Sequence, residues 1–178
     1  MTPQVLEFDR FLDDRGDIQR IWLSGSYAAA RNNAANGSEW PRTGDWCQEN
    51  VAISKRGVLR GIHGNMNDGN WTIFTILYGQ IFFVVVDCTE KNFGHVVDCR
   101  IIESKCYDWI TKGGQCLIPP GYGRAYYVES EVAVVHYKWT TPYEEQKQFT
   151  YRYDDPRFGI IWPFKGIPVL SARDSEPL

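Results

Sequence analysis

The fold turns on one stretch, Trp71-Thr72-Ile73-Phe74-Thr75-Ile76-Leu77-Tyr78-Gly79-Gln80-Ile81-Phe82-Phe83-Val84-Val85-Val86-Asp87-Cys88. Aromatic and β-branched residues fill it, which suits a pleated, half-buried surface. It reads as a hairpin: a strand from Trp71 to Tyr78, a turn at Gly79, and a strand from Gln80 to Cys88. The run Ile81 to Val86 does not alternate, so the second strand is predicted to be covered on both faces. Either a sandwich core or an interface between subunits would supply that cover.

Outward from this stretch the pattern repeats. Trp46 to Ser54, Val58 to His63, Val96 to Ile102, Cys116 to Ile118, Ala125 to Val128 and Val132 to Trp139 read as strands separated by Gly and Pro. Upstream, Phe8 to Leu12 and Asp17 to Leu23 flank the turn Asp13-Asp14-Arg15-Gly16. Ser24 to Ala35 alone reads as a helix, with Ser24 or Ser26 as its cap. The tail, Tyr151 to Leu178, reads as extended chain and turns. Many short strands at this spacing predict an all-β sandwich or barrel, and 178 residues make one domain, 1–178.

Composition narrows the function. Nineteen basic against twenty-two acidic residues give a net charge of −3 with no basic stripe, which argues against nucleic acid as the partner. The N-terminal residues hold no apolar core of a secretory leader, and the longest apolar run is far short of a membrane span, so a cytoplasmic protein is expected. Five cysteines without CxxC spacing predict reduced thiols, with Cys88 and Cys116 in the core, and no zinc site. Seven Trp, ten Tyr and nine Phe exceed what one small core needs, so some rings are expected to line a cleft.

Three histidines are candidates for chemistry. His63 follows Arg60-Gly61-Ile62, where Gly61 is expected to keep the strand open to a ligand. His95 lies in a turn after Phe93-Gly94, and His136 faces away from its neighbour Tyr137. The order of strands suggests a cupin, a small jelly-roll barrel. Many cupins bind a metal through an HxH pair, but His63-Gly64-Asn65 supplies one imidazole, so no metal and no other cofactor is expected. His63 then works as a proton-transfer group.

The chain resembles the dTDP-4-dehydrorhamnose 3,5-epimerase family, metal-free cupins of nucleotide-sugar metabolism. The likeness runs from Phe11 to Asp174. It rests on Asp13-Asp14-Arg15-Gly16, Gln48-Glu49-Asn50, Val58-Leu59-Arg60-Gly61-Ile62-His63 and Val86-Asp87-Cys88. Further on it rests on Ile118-Pro119-Pro120-Gly121-Tyr122, Tyr137-Lys138 with Tyr143, Ile161-Trp162-Pro163 and Leu170-Ser171-Ala172-Arg173-Asp174. The resemblance implies a jelly roll with a short N-terminal helix and an extended C-terminal tail. It implies His63 as general base, Asp174 orienting it, and Tyr137 as general acid on the far face of the sugar. Arg15 and Arg60 fall where the family holds a diphosphate, Gln48 and Asn50 on the substrate side, and Tyr143 where a ring stacks on the base. It also implies a homodimer built by strand exchange or sheet extension.

Three departures stand out. A family Lys beside the sugar's 4-keto oxygen falls on Thr72, whose hydroxyl is expected to donate one weaker hydrogen bond to the substrate there, and no Lys lies between Lys55 and Lys91. Losing such a donor to an enolate costs about 3 kcal/mol, or about a hundredfold in rate. Arg124 replaces a family histidine and is expected to bind phosphate or a sugar hydroxyl. Ile18 stands where thymidine-type members place a ring. The wording Ile62-His63-Gly64, Tyr78-Gly79-Gln80-Ile81 and Gln148-Phe149-Thr150-Tyr151 is similar to relatives acting on GDP-linked 4-keto heptoses. The expected activity is epimerisation at C3, C5 or both of a nucleotide-diphosphate-linked 4-keto-6-deoxy sugar or 4-keto heptose, in deoxysugar or surface-polysaccharide biosynthesis. Two other readings compete. A 3,4-ketoisomerase would carry a second histidine near His63, and a non-catalytic nucleotide-sugar binder would have no need of His63, Tyr137 and Asp174 together.

Overall fold

The computed structural model describes residues 3–6, 10–13, 16–19, 22–66, 69–104, 115–143 and 147–176. In chain order the elements are β1 (Gln4–Leu6), β2 (Arg10–Asp13), β3 (Gly16–Gln19), α1 (Ser24–Asn33), β4 (Gln48–Lys55), β5 (Leu59–Asn65), β6 (Thr72–Asp87), β7 (Val96–Ser104), β8 (Gln115–Ile118), β9 (Tyr122–Val128), β10 (Val132–Trp139), β11 (Gln148–Thr150) and α2 (Ala172–Ser175). The predicted all-β jelly roll is what forms, and β2 pairs with β3 antiparallel, Asp13 opposite Gly16. Strands β1 and β11 have no counterpart in the sequence expectation.

The predicted hairpin at Gly79 is a correction. β6 is one continuous strand of 16 residues, and Gly79 is a bend within it at φ +91°. Up to Tyr78, β6 pairs with β10 on one edge and β8 on the other. From Gly79 onward it pairs with β7 and β9. One layer is therefore β4, β10, the first half of β6, β8 and β1. The other is β7, the second half of β6, β9, β5 and β11. A local glycine signal looked like a turn because the sequence does not show which strands flank it.

The core sits between the layers. Phe74, Ile76, Ile81, Phe83, Val85, Tyr126, Val128, Ala133 and Val135 pack there, with Phe74 and Phe83 stacked at 4.2 Å. The unbroken apolar run is now explained. Ile81, Phe83 and Val85 face this core, while Phe82, Val84 and Val86 face out and are covered by Phe158, Tyr151, Ile160 and Trp162 of the chain's own tail. The tail is thus packed structure: Leu59 N–H donates to the Val169 carbonyl, and Val169 N–H to that of Gly57. On the other layer's outer face α1 and its flanking segments lay Tyr27, Trp40, Trp22 and Trp46 over Ile73 and Leu117. Neither Ser24 nor Ser26 caps α1; Leu23 is its N-cap, because Ser24 already has helical backbone. Cys116 is buried in the core and Cys88 is half-buried among the tail contacts. Among the described residues no helix is long and apolar enough to cross a membrane.

A Cβ at Gly79 would come within 2.2 Å of the Val132 carbonyl oxygen, on top of the positive φ. Gly79→Ala is expected to destabilise the fold by about 3 kcal/mol. Gly159→Ala, at φ +58° with nothing within 4 Å of its Cβ, should cost about 1 kcal/mol. Urea unfolding midpoints check both, and equal costs would contradict the bend.

Candidate active site

Two residues of β5 face one residue of β9. Arg60 stands opposite Tyr126 and His63 opposite Arg124, so Gly61 and Ile62 together oppose Ala125. Such a bulge re-aims the side chains after it. Here it lets Arg60 and His63, three apart, both reach the barrel cavity, while Ile62 turns outward into the tail contacts. The bulge needs glycine. Gly61 has φ +117°, and a Cβ there would meet the Arg124 carbonyl oxygen at 2.5 Å. The glycine therefore serves a close approach of two strands, not the open approach to a ligand that was expected.

His63 meets the tail. Its Nε2 lies 2.5 Å from Asp174 Oδ1. Asp174 is 2% exposed and sits in α2, whose N-cap Ser171 donates its hydroxyl to Asp174 Oδ2 at 2.8 Å. Burial pushes the Asp174 carboxyl up. The His63 ring, the Ser171 hydroxyl and the Gly61 N–H outweigh that and hold it below the ordinary carboxylate value. A carboxylate on Nε2–H fixes the ring tautomer and leaves Nδ1 as the basic nitrogen.

Tyr137 reaches the same cavity from the opposite layer, on β10. Burial pushes its phenol well above 10, reinforced by Tyr126, against the opposing pull of Arg124 and Arg60. It is therefore a protonated group at neutral pH. Arg124 lies over the Tyr137 ring at 5.9 Å. Trp139 continues the wall, nearly parallel to Tyr137 at 6.0 Å and to Tyr143 at 6.2 Å, and Tyr143 is half exposed at the rim. The cavity is about 230 Å³, on the scale of a sugar ring rather than a whole sugar nucleotide.

The remaining predicted residues divide. Arg60, Arg124 and Tyr143 line the cavity. Gln48 and Asn50 share a face of β4 with the lining residue Ala52 but stand beside the cavity, where Gln48 accepts the Tyr143 N–H at 2.7 Å. Thr72 is 1% exposed, paired with Trp139 and Ile118, and is not on the lining. Arg15 lies outside the described residues. Of the remaining rings, Tyr126 lines the cavity, Trp71 packs under α1, and burial, with Asp87 beside it, pushes the Tyr122 phenol up to about 12 at another site. Trp139 is cavity wall. His95 is exposed, and His136 faces away from the cavity to bond Glu49 at 2.9 Å.

Sequence reasoning missed Arg173, Gln148, Asn65 and Phe74 as lining residues. Arg173 donates to Thr150 Oγ1 at 2.7 Å and Gln148 Oε1 at 2.6 Å, which fastens α2 to β11. Its neighbour Asp174 was the available signal. Among the described residues no group of His, Cys, Asp and Glu converges to hold a metal.

Comparison with known proteins identifies the family. The dTDP-4-dehydrorhamnose 3,5-epimerase of Neisseria gonorrhoeae is 30% identical over 98% of this chain and 47% of its own length, so the chain spans about half of that relative. A Legionella pneumophila dTDP-6-deoxy-D-glucose-3,5-epimerase, solved with dTDP-4-keto-L-rhamnose, superposes with a TM-score of 0.76 at 25% identity, covering 97% of this chain and 90% of its own. The 3'-monoepimerase ChmJ of Streptomyces bikiniensis, solved with dTDP-quinovose, gives 0.77 at 26%, covering 97% and 80%. The sequence model of dTDP-4-dehydrorhamnose 3,5-epimerase matches residues 3–177. A match of that extent shows the family: the chain belongs to the dTDP-4-dehydrorhamnose 3,5-epimerases, which are isomerases.

Proposed function

We propose that this protein inverts C3, C5 or both of a nucleotide-diphosphate-linked 4-keto-6-deoxy sugar in deoxysugar biosynthesis. The observation that carries this reading is the His63–Asp174 pair on one layer facing Tyr137 on the other across one cavity. A ketone acidifies the C–H bonds beside it by taking the carbanion's charge onto oxygen. His63 Nδ1 removes such a proton, and the C–H electron pair becomes the C=C bond of an enolate. Tyr137 then gives its proton to the opposite face of that carbon, the C=O re-forms, and the configuration inverts. Asp174 keeps Nδ1 free and balances the imidazolium. Arg60 holds the diphosphate, so that binding energy far from the reacting carbon orients the sugar. The ladder Tyr137, Trp139, Tyr143 leads to the rim, where the base stacks on Tyr143.

The relatives named above favour thymidine over the guanosine expected for a heptose substrate. The lone histidine in the lining disfavours a 3,4-ketoisomerase. The working form is a homodimer. Val51 and Ile53, 59% and 68% exposed on edge strand β4, with Tyr78 at 51%, offer apolar surface for a second copy. Light scattering should give twice the chain mass, and a monomer would remove this part of the proposal.

Incubation in deuterated water with dTDP-, GDP- and CDP-linked 4-keto sugars tests the activity. Deuterium should enter C3 or C5 of at least one, fastest with dTDP. Binding without exchange of any would leave the non-catalytic reading. His63→Ala should abolish exchange while the thermal midpoint persists, and Asp174→Asn should slow it by about a hundredfold. Because the folded Asp174 carboxyl is held below its unfolded value of about 3.9, its stabilisation is complete above that pH and is lost as pH falls through the folded value. The stability gap between the unaltered chain and Asp174→Asn is expected to be about 2 kcal/mol at pH 7 and to close below about pH 4. A gap independent of pH would contradict the charged His63–Asp174 contact.

A further inference from the structure

We infer that Arg124 is the catalytic electrophile: its guanidinium stabilises the oxyanion of the enolate that His63 generates. The inference rests on the epimerase reading and adds a residue to its machinery. Removing a proton beside a ketone moves an electron pair onto the ketone oxygen, and a cation fixed there before the reaction lowers the barrier most.

Three guanidinium groups line the cavity, from Arg60, Arg124 and Arg173. Two are engaged by protein. Arg60 Nε donates to Ser54 Oγ at 3.0 Å, and Arg173 donates to Thr150 and Gln148. The Arg124 guanidinium makes no hydrogen bond and no ion pair among the described residues; it lies over the face of the Tyr137 ring. A half-buried cation without a carboxylate partner is costly unless an anion arrives. Burial, joined by the neighbouring Arg173, presses its pKa down against the opposing pull of Tyr137, and an arriving negative charge would relieve that.

Position agrees with charge. Arg124 is the cross-strand partner of His63 and lies 5.9 Å from the Tyr137 ring. It therefore stands beside both groups that exchange protons with the carbon next to the ketone. Thr72, the alternative donor, is buried off the lining, and Lys138 is taken by Glu49 and the Trp22 ring on the outer face. The same guanidinium also stabilises the Tyr137 phenolate left when the phenol has given its proton away. At the end of the cycle His63 and Tyr137 exchange protons with water, and no oxidant or cofactor enters the balance.

The test uses the full chain and whichever of the dTDP-, GDP- or CDP-linked 4-keto sugars exchanges fastest. Arg124→Met should lower kcat for exchange by about a hundredfold or more, with KM and the Kd of the matching nucleoside diphosphate within about twofold. Arg124→Lys should recover part of the rate, and added guanidinium ion should speed Arg124→Ala. If Arg124→Met does not fold, the Lys variant and the guanidinium rescue decide. Undiminished kcat in Arg124→Met, or a loss that appears equally in nucleoside diphosphate affinity, overturns the inference and leaves the epimerase intact. No exchange by the unaltered protein with any of the three sugars overturns the epimerase reading, and the role of Arg124 falls with it.

Discussion

Everything in the cavity depends on the extra residue that β5 carries opposite Ala125. Without the bulge, alternation along β5 would put Arg60 and His63 on opposite faces of the sheet. With it, Arg60 and His63 share one wall, and Ile62 turns out to be buried under the tail. The constraint is steric. β5 and β9 approach so closely at Gly61 that only a residue without Cβ fits, and the backbone of that glycine helps hold the Asp174 carboxyl low. One glycine thus sets the register, the aim of His63 and part of the field around Asp174.

The tail completes what the bulge begins. Its aromatic residues cover the outer face of Val84, Val86 and Ala125, and its backbone pairs with Gly57 and Leu59. That packing delivers α2 to the cavity mouth, where Arg173 clasps β11 and Asp174 meets His63. Stability and chemistry are therefore linked here. A change that loosens the tail exposes apolar surface of the barrel and withdraws the partner of the base at once.

The sequence carried most of the architecture. Runs of Val, Ile, Phe and Trp between Gly and Pro marked the strands from β4 to β10, because burial between two layers demands them. Gly79 misled because a bend in a strand shared by two layers and a hairpin turn ask for the same residue. The side that Trp139 and Trp71 take depends on register, which only pairing reveals. Of the site, His63, Tyr137 and Asp174 were legible through motif resemblance. Asp174 would otherwise pass for a charged residue in a loose tail. Arg173 and Gln148 carried no signal of their own, since their place follows from how the tail folds back on β11.

The chemical account is a base and an acid on opposite layers with a planar enolate between them. That arrangement separates two events a one-base site would join: loss of the proton and its return from the far side. Tyr137→Phe in deuterated water separates them directly, followed by proton NMR of the sugar. The account predicts that this variant still exchanges the hydrogen beside the ketone through His63 but no longer inverts the carbon. Inversion at an undiminished rate in Tyr137→Phe would contradict it.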